Sequence, residues 1–178
     1  MDVFREASSD LCPFGDTDHA PAVLRPLTRA VNEDFRDLLA SLLEAGARFL
    51  VVGAHALAVH GVPRATGDLD VWTEGSAANT ERVWAGLLRF GAPVGALGLS
   101  RDDLMRADQV VQIGLPPRRI DLLTSISGVE FEEAWRGRIT REVSGLSVPF
   151  IGRSALVRNK KAAGRPKDLA DLAALGEE

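Results

Sequence analysis

The amino-acid sequence predicts an α/β (α+β) chain, a mixed β-sheet with flanking helices and a C-terminal helical segment. Three observations lead there. Short apolar runs bounded by glycine or proline, "RFLVVG", "DLDVWT" and "RRIDLLTSI", read as strands. Segments with apolar residues at helical spacing stand between them, and the chain closes with a hairpin pattern followed by two helical pieces. Strands and helices mixed in this order imply helices packed on a sheet. With 178 residues, 46% of them hydrophobic, the chain can bury a core as one domain or one domain with a small appendage. The divisions expected are an N-terminal arm over 1–27, a core domain over 28–152 and a C-terminal helical segment over 153–178.

Residues 1–27 mix Ser, Pro, Gly and Asp without periodicity and read as an arm. Asn32 can cap a helix with Glu33 and Asp34 in its first turn, an apolar stripe of Phe35, Leu38, Leu39, Leu42 and Leu43, and a stop at Gly46. "RFLVVG" is then a short buried strand ending at Gly53, followed by the helical "AHALAVH" and a break at Gly61-Val62-Pro63. "DLDVWT" is a second strand. Residues 77–90 form a helix with Val83, Trp84, Leu87 and Leu88 inward, and "DDLMRA" a short one before "QVVQIGL". After Pro116-Pro117 comes the strand "RRIDLLTSI", then the short helix "EFEEAWRGR". "ITREVSGLSVPFI" is a hairpin turning at Ser144-Gly145, and the tail from Ser154 is two helices separated by "GRP".

Bulk properties narrow the function. A net charge of -4 and a pI near 5.4 argue against holding nucleic acid by bulk electrostatics, so any such contact would be local. The single cysteine, Cys12, excludes an intrachain disulfide framework, and no Cys/His cluster has zinc spacing. No stretch approaches a membrane span and the polar start is no signal peptide, so a cytoplasmic protein without a membrane partner is expected.

The chemistry concentrates in "DLDVWT". In a strand, residues i and i+2 share a face, so Asp68 and Asp70 project together while Leu69 and Val71 point into the core. Two carboxylates on one patch repel unless something positive sits between them, and a divalent cation is a usual occupant. The alternative is that one aspartate caps the turn after Thr66-Gly67 while the other is solvated at a sheet edge. Asp121, between Ile120 and Leu122, is a third acid inside a strand, where Asp is depleted and costly to bury unpaired. If the two strands are neighbours, the three carboxylates could hold one or two Mg²⁺ or Mn²⁺ ions, with open positions for phosphate oxygens. Gly53 ends a strand and opens a helix, so a phosphate could approach the amides of Ala54 and His55.

These pieces resemble the nucleotidyltransferase superfamily of the DNA polymerase β type. Its mark is a glycine pair after a strand, a helix, an h-D-h-D/E-h strand, and a third acid on a later strand. Here the matches are Gly53-Ala54, Asp68 and Asp70, and Asp121. The tail "VRNKKAAGRPKDLADLAAL" is similar to the C-terminal motif of small prokaryotic AbiEii and MenT-like proteins, in which a lysine precedes an Arg/Lys-Asp-x-x-Asp element. The resemblance implies the sheet of that superfamily, with Asp68, Asp70 and Asp121 as metal ligands and Asp121 as ligand or base. It implies Lys160 as the phosphate contact, Asp168 as its orienting partner, and Gly53 and Ala54 as nucleotide-binding residues; Arg64 and Thr66, on the loop just before Asp68, are further nucleotide-binding candidates. Ala54 departs from the pattern, since glycine or serine is common there.

The implied reaction is two-metal transfer of a nucleoside monophosphate from an NTP to an RNA, with tRNA among the candidates, or to a protein hydroxyl. A toxin or antitoxin partner is a further expectation. A second reading is a catalytically weak or inactive binding module, or an antitoxin-type partner, and a metal-dependent phosphohydrolase ranks last. Elsewhere, Arg64 is either a triphosphate contact or a solvated turn residue. His55 and His60 read as core or capping residues, and Lys161 as the outward neighbour of Lys160. Trp72, Trp84 and Trp135 read as core or rim packing. If the three acids crowd one another, Asp121→Asn should leave the metal-free protein at least as stable; if Asp121 pairs with Arg118 or Arg119, it should destabilise it.

Overall fold

The computed structural model describes residues 32–177, so the arm expected over 1–27 lies outside the described residues. Helix α1 (Glu33–Glu44) starts where the Asn32 side chain accepts the Asp34 amide at 3.1 Å, and ends ahead of Gly46, whose φ is +66°. Strand β1 (Phe49–Val51) is buried throughout and leads into α2 (Gly53–Val59), a helix of only 7 residues. Strand β2 (Asp68–Thr73) is followed by α3 (Ala77–Phe90) and α4 (Arg101–Met105), the latter opened by a capping box of Ser100 and Asp103. Next come β3 (Val110–Ile113), β4 (Arg119–Leu123) and α5 (Phe131–Arg136). The hairpin β5 (Ile139–Val143) and β6 (Leu146–Phe150) precedes α6 (Arg153–Ala163) and α7 (Pro166–Ala174).

The six strands form one mixed sheet in the order β3-β4-β2-β1-β6-β5. β2 runs parallel to β4 and β1 parallel to β6, while the other neighbouring pairs are antiparallel. The core is built on Phe49, Leu50, Leu69, Val71, Ile120, Leu122 and Val148, with Leu38 and Leu42 from α1 and Val83 and Leu87 from α3. α1 and α3 lie close because position 86 is glycine: a Cβ there would sit 2.9 Å from Leu42 Cδ2 and 3.2 Å from Leu42 Cα. That face of α3 carries Val83, Gly86 and Leu87, which turns Leu88 outward at 54% exposure, against the expectation that it packs inward. Trp84 is half-buried beneath the Arg101 guanidinium, 4.6 Å from its ring.

Trp72 is buried against Phe131, ring centroids 5.0 Å apart, and its indole N–H donates to the Thr124 carbonyl. Trp135 lies at the rim between the guanidinium groups of Arg48 and Arg138. His55 meets Phe35 edge-on, and His60 hydrogen-bonds through Nε2 with the Ile151 carbonyl. Among the described residues no helix is long and apolar enough to cross a membrane.

Candidate active site

The parallel register of β2 and β4 sets Asp68 opposite Arg119 and Asp70 opposite Asp121. Because residues two apart share a face, three carboxylates and one guanidinium form a two-by-two array on the side of the sheet away from Leu69, Val71, Ile120 and Leu122. Arg119 spans two of the acids. Its Nη2 donates to Asp68 Oδ2 at 2.7 Å and to Asp121 Oδ2 at 3.1 Å. Its Nε lies 3.0 Å from Asp121 Oδ1, an ion pair without hydrogen-bond alignment. The Thr66 hydroxyl also donates to the Asp68 carboxylate. That hydrogen bond, outweighing partial burial and helped by the Arg119 charge, holds the Asp68 carboxyl below its ordinary range.

Asp70 is in a different state. Among the described residues nothing hydrogen-bonds or pairs with its carboxylate. Burial, then the charges of Asp68 and Asp121, push its pKa up to about 6. The carboxylate packs on Gly53, where a Cβ would fall 2.0 Å from Asp70 Oδ2 and where φ is +62°. Both the space and the backbone angle therefore require glycine at position 53. The motif read as a phosphate approach is, in this structure, first a seat for Asp70.

Across from the array stand α6 and α7, joined through Gly164 in a left-handed conformation and Pro166 in the first turn of α7. Lys160 is only 4% exposed, and its ammonium reaches Asp171 Oδ2 at 2.5 Å and Asp168 Oδ1 at 3.4 Å. Arg165 Nε donates to Asp168 Oδ2 at 2.6 Å, and Arg64 Nε lies 3.2 Å from Asp171 Oδ1. Burial alone would raise the Asp168 carboxyl, yet the Arg165 hydrogen bond and the charges of Arg165 and Lys160 hold it low. With Lys167, this wall carries four cations, Arg64, Lys160, Arg165 and Lys167, against two anions, Asp168 and Asp171.

Between the two walls is an open cleft of about 320 Å³, lined by Gly53, Arg64, Asp70, Lys160, Asp168 and neighbouring residues, with the loop Ser125–Ser127 and Asn159 along its edge. Of the three expected metal ligands, Asp70 alone lines this cleft; Asp68 and Asp121 are turned to Arg119. Thr66 is engaged by Asp68, and Ala54 is buried at 3% exposure, so neither side chain lines the cleft. From sequence, Arg119 is a candidate partner for Asp121 alone, and Arg165 and Lys167 carry no expected role. The signal for Arg119 was available in its spacing, two residues before Asp121 on the same strand.

Among the described residues no group of three or more His, Cys, Asp or Glu side chains is arranged to hold a metal ion. The donor chemistry nonetheless fits a hard divalent cation. Mg²⁺ commonly binds through one or two carboxylates and completes its shell with substrate phosphates and water. Among the described residues Asp70 is an oxygen donor without a hydrogen-bond or ion-pair partner, its ionised form is destabilised by its surroundings, and it faces a cleft whose other wall carries cations.

No family model matches the chain, and no curated protein matches it. Solved structures do. A candidate nucleotidyltransferase from Thermotoga maritima is similar over 79% of this chain and 89% of its own, with 13% identity and a TM-score of 0.54. ANT(2")-Ia, determined in complex with adenylyl-2"-tobramycin, overlaps 79% of this chain and 84% of its own, with 17% identity and a TM-score of 0.48. At such identities the likeness is one of fold. The six-stranded mixed sheet with its seven helices among the described residues is a nucleotidyltransferase-like fold.

Proposed function

We propose that this chain is a metal-dependent nucleotidyltransferase, moving a nucleoside monophosphate from an NTP to an acceptor hydroxyl. The observation that carries this reading is the opposition of two walls across one cleft: an acidic strand pair presenting Asp70, and a cationic wall of Arg64, from the loop before β2, with Arg165 and Lys167 around buried Lys160. A triphosphate with a divalent cation needs that combination, because its phosphates seek cations while its metal seeks carboxylate oxygen.

Arg64, Arg165 and Lys167 would bind and orient the β- and γ-phosphates, with Lys160 and Asp168 fixing the geometry of that wall. Asp70, backed by Asp68 and Asp121, would hold Mg²⁺ or Mn²⁺. When bound, the ion supplies positive charge where negative charge builds on the transferring phosphoryl group. The acceptor oxygen forms a bond to the α-phosphorus as the bond from that phosphorus to the bridging oxygen breaks. The electron pair leaves with pyrophosphate, and the hydroxyl proton passes to water in the open cleft.

An RNA end, tRNA included, or a protein hydroxyl is the acceptor class that the C-terminal motif's resemblance to AbiEii and MenT-like proteins favours, together with a toxin or antitoxin role in the cytoplasm. Incubation of the purified chain with each α-labelled NTP, Mg²⁺ or Mn²⁺, and total RNA or the protein itself should transfer label to one of them. Absence of transfer with every NTP and acceptor, in protein shown to be folded, would sink the enzymatic reading. A second reading, a binding module of weak or no activity, draws on one observation: Arg119 and Lys160 are engaged by the site's own carboxylates. Retention of nucleotide without transfer is its signature.

A further inference from the structure

The geometry assigns Arg119 the place of a second cation: it bridges Asp68 and Asp121, so the site takes one divalent ion, at Asp70, and not a pair. This rests on the metal-dependent reading above and sharpens it. The starting point is the charge of the array. With all three carboxylates ionised and Arg119 positive, the two-by-two patch carries a formal charge of -2, which one divalent ion cancels. Without the arginine it would carry -3, and a second ion would be drawn in.

Placement agrees with charge. Contacts of 2.7, 3.0 and 3.1 Å bind the guanidinium fork to both Asp68 and Asp121. Neither Asp68 nor Asp121 lines the cleft, and of the three array carboxylates Asp70 alone does. Arg119 is also fixed there by the fold, since the register places its Cα opposite Asp68 and two residues before Asp121 on the same face. A guanidinium keeps its charge at any pH the protein meets and cannot dissociate as a metal does, so it is a permanent occupant. A divalent ion bridging Asp68 and Asp121 would have to displace it and leave it unpaired, with an Nε that is buried.

The test is metal stoichiometry in the nucleotide complex, read without turnover. The full chain is dialysed against Mn²⁺ and each of the four α,β-methylene nucleoside triphosphates, and the Mn²⁺ retained per bound nucleotide is measured, with electron paramagnetic resonance on the same complex. One Mn²⁺ per nucleotide and an uncoupled single-ion spectrum are expected. Arg119→Gln should retain two, with the spin-coupled spectrum of ions about 3.5–4 Å apart. Arg119→Lys, which keeps the aliphatic stem and charge but cannot span both carboxylates, serves if the glutamine variant does not fold, and should admit the second ion at higher Mn²⁺. Two coupled Mn²⁺ ions in the unmodified protein would overturn the assignment of Arg119 while leaving the nucleotidyltransferase reading intact. So would one ion in every folded variant. If neither nucleotide nor Mn²⁺ is retained by any form, the proposed function fails and this inference fails with it.

Discussion

Replacing Asp70 by asparagine should make the metal-free protein more stable at neutral pH. Asp70 has a native pKa of about 6 against an ordinary 3.8, because burial and two neighbouring carboxylates disfavour its charge. A group whose native pKa is raised contributes stability that is fully present below the unfolded value and lost as pH rises through the native one. The window here runs from about pH 4 to pH 6. At about 1.4 kcal/mol per pH unit, the difference between 3.8 and about 6 amounts to about 3 kcal/mol once Asp70 is ionised. Asparagine has the same shape and no charge, so the variant should gain up to that amount at pH 7.5, a rise of about 6–12 °C in Tm for a chain of this length. Below pH 4 the two proteins should converge, since the parent's Asp70 is then protonated as well. Urea denaturation of both at pH 4, 6 and 7.5 with chelator present isolates Asp70, because slopes from Asp68 and Asp168 are largely common to the pair. Added Mn²⁺ should narrow the gap by stabilising the parent alone. A variant less stable than the parent at pH 7.5, or a gap independent of pH, would refute the reasoning.

Asp121→Asn should lower the metal-free Tm, since Arg119 would lose its two-point partner; this is the outcome expected of a paired acid, and the crowding alternative would show an unchanged or higher Tm. Gly53→Ala should destabilise the protein and abolish label transfer together, because a Cβ 2.0 Å from Asp70 Oδ2 must displace that carboxylate; normal transfer by the variant would separate Gly53 from the site. Arg64→Ala should weaken NTP affinity, read by calorimetry, with a small loss of stability from the half-exposed pair with Asp171. Lys160→Ala should abolish transfer and also cost about 3–5 kcal/mol in urea denaturation, since it strips the ammonium from two buried aspartates. A variant of parental stability would show that Arg64 and Arg165 suffice to hold those carboxylates.

The fold was legible where burial follows backbone period. "DLDVWT" alternates as a strand must, and its Leu69 and Val71 are buried as that alternation requires. Asn32 and Gly46 mark the ends of α1 because capping chemistry is local. Sheet order was not legible: that β2 lies beside β4 depends on crossovers of many residues, and only this neighbourhood brings Asp121 level with Asp70. The same limit hid the Arg119–Asp68 pair: spacing within "PPRRID" offers Arg119 to Asp121, but Asp68 lies 51 positions away. Leu88 shows the converse error, an apolar residue at a helical position that the close approach of α1 at Gly86 leaves outside.

The burial of Lys160 decides how the cationic wall can work. A side chain 4% exposed with its ammonium 2.5 Å from Asp171 would have to break an ion pair to touch a phosphate, and a buried aspartate would then be left uncovered. Arg64 and Arg165 do not face that cost. Each binds an aspartate of the same network while remaining more than a third exposed, so each can extend a free N–H toward the cleft. In the proposed reaction Lys160 would be the inner post that lets Asp168 and Asp171 hold the two arginines in place, and phosphate contact would fall to the arginines and Lys167. The division separates by experiment: with transfer as the readout, Arg64→Ala and Arg165→Ala should raise KM for NTP with a smaller loss of stability, whereas Lys160→Met should lower stability and activity together. A KM effect from Lys160→Met in a protein of parental stability would return the phosphate contact to the lysine.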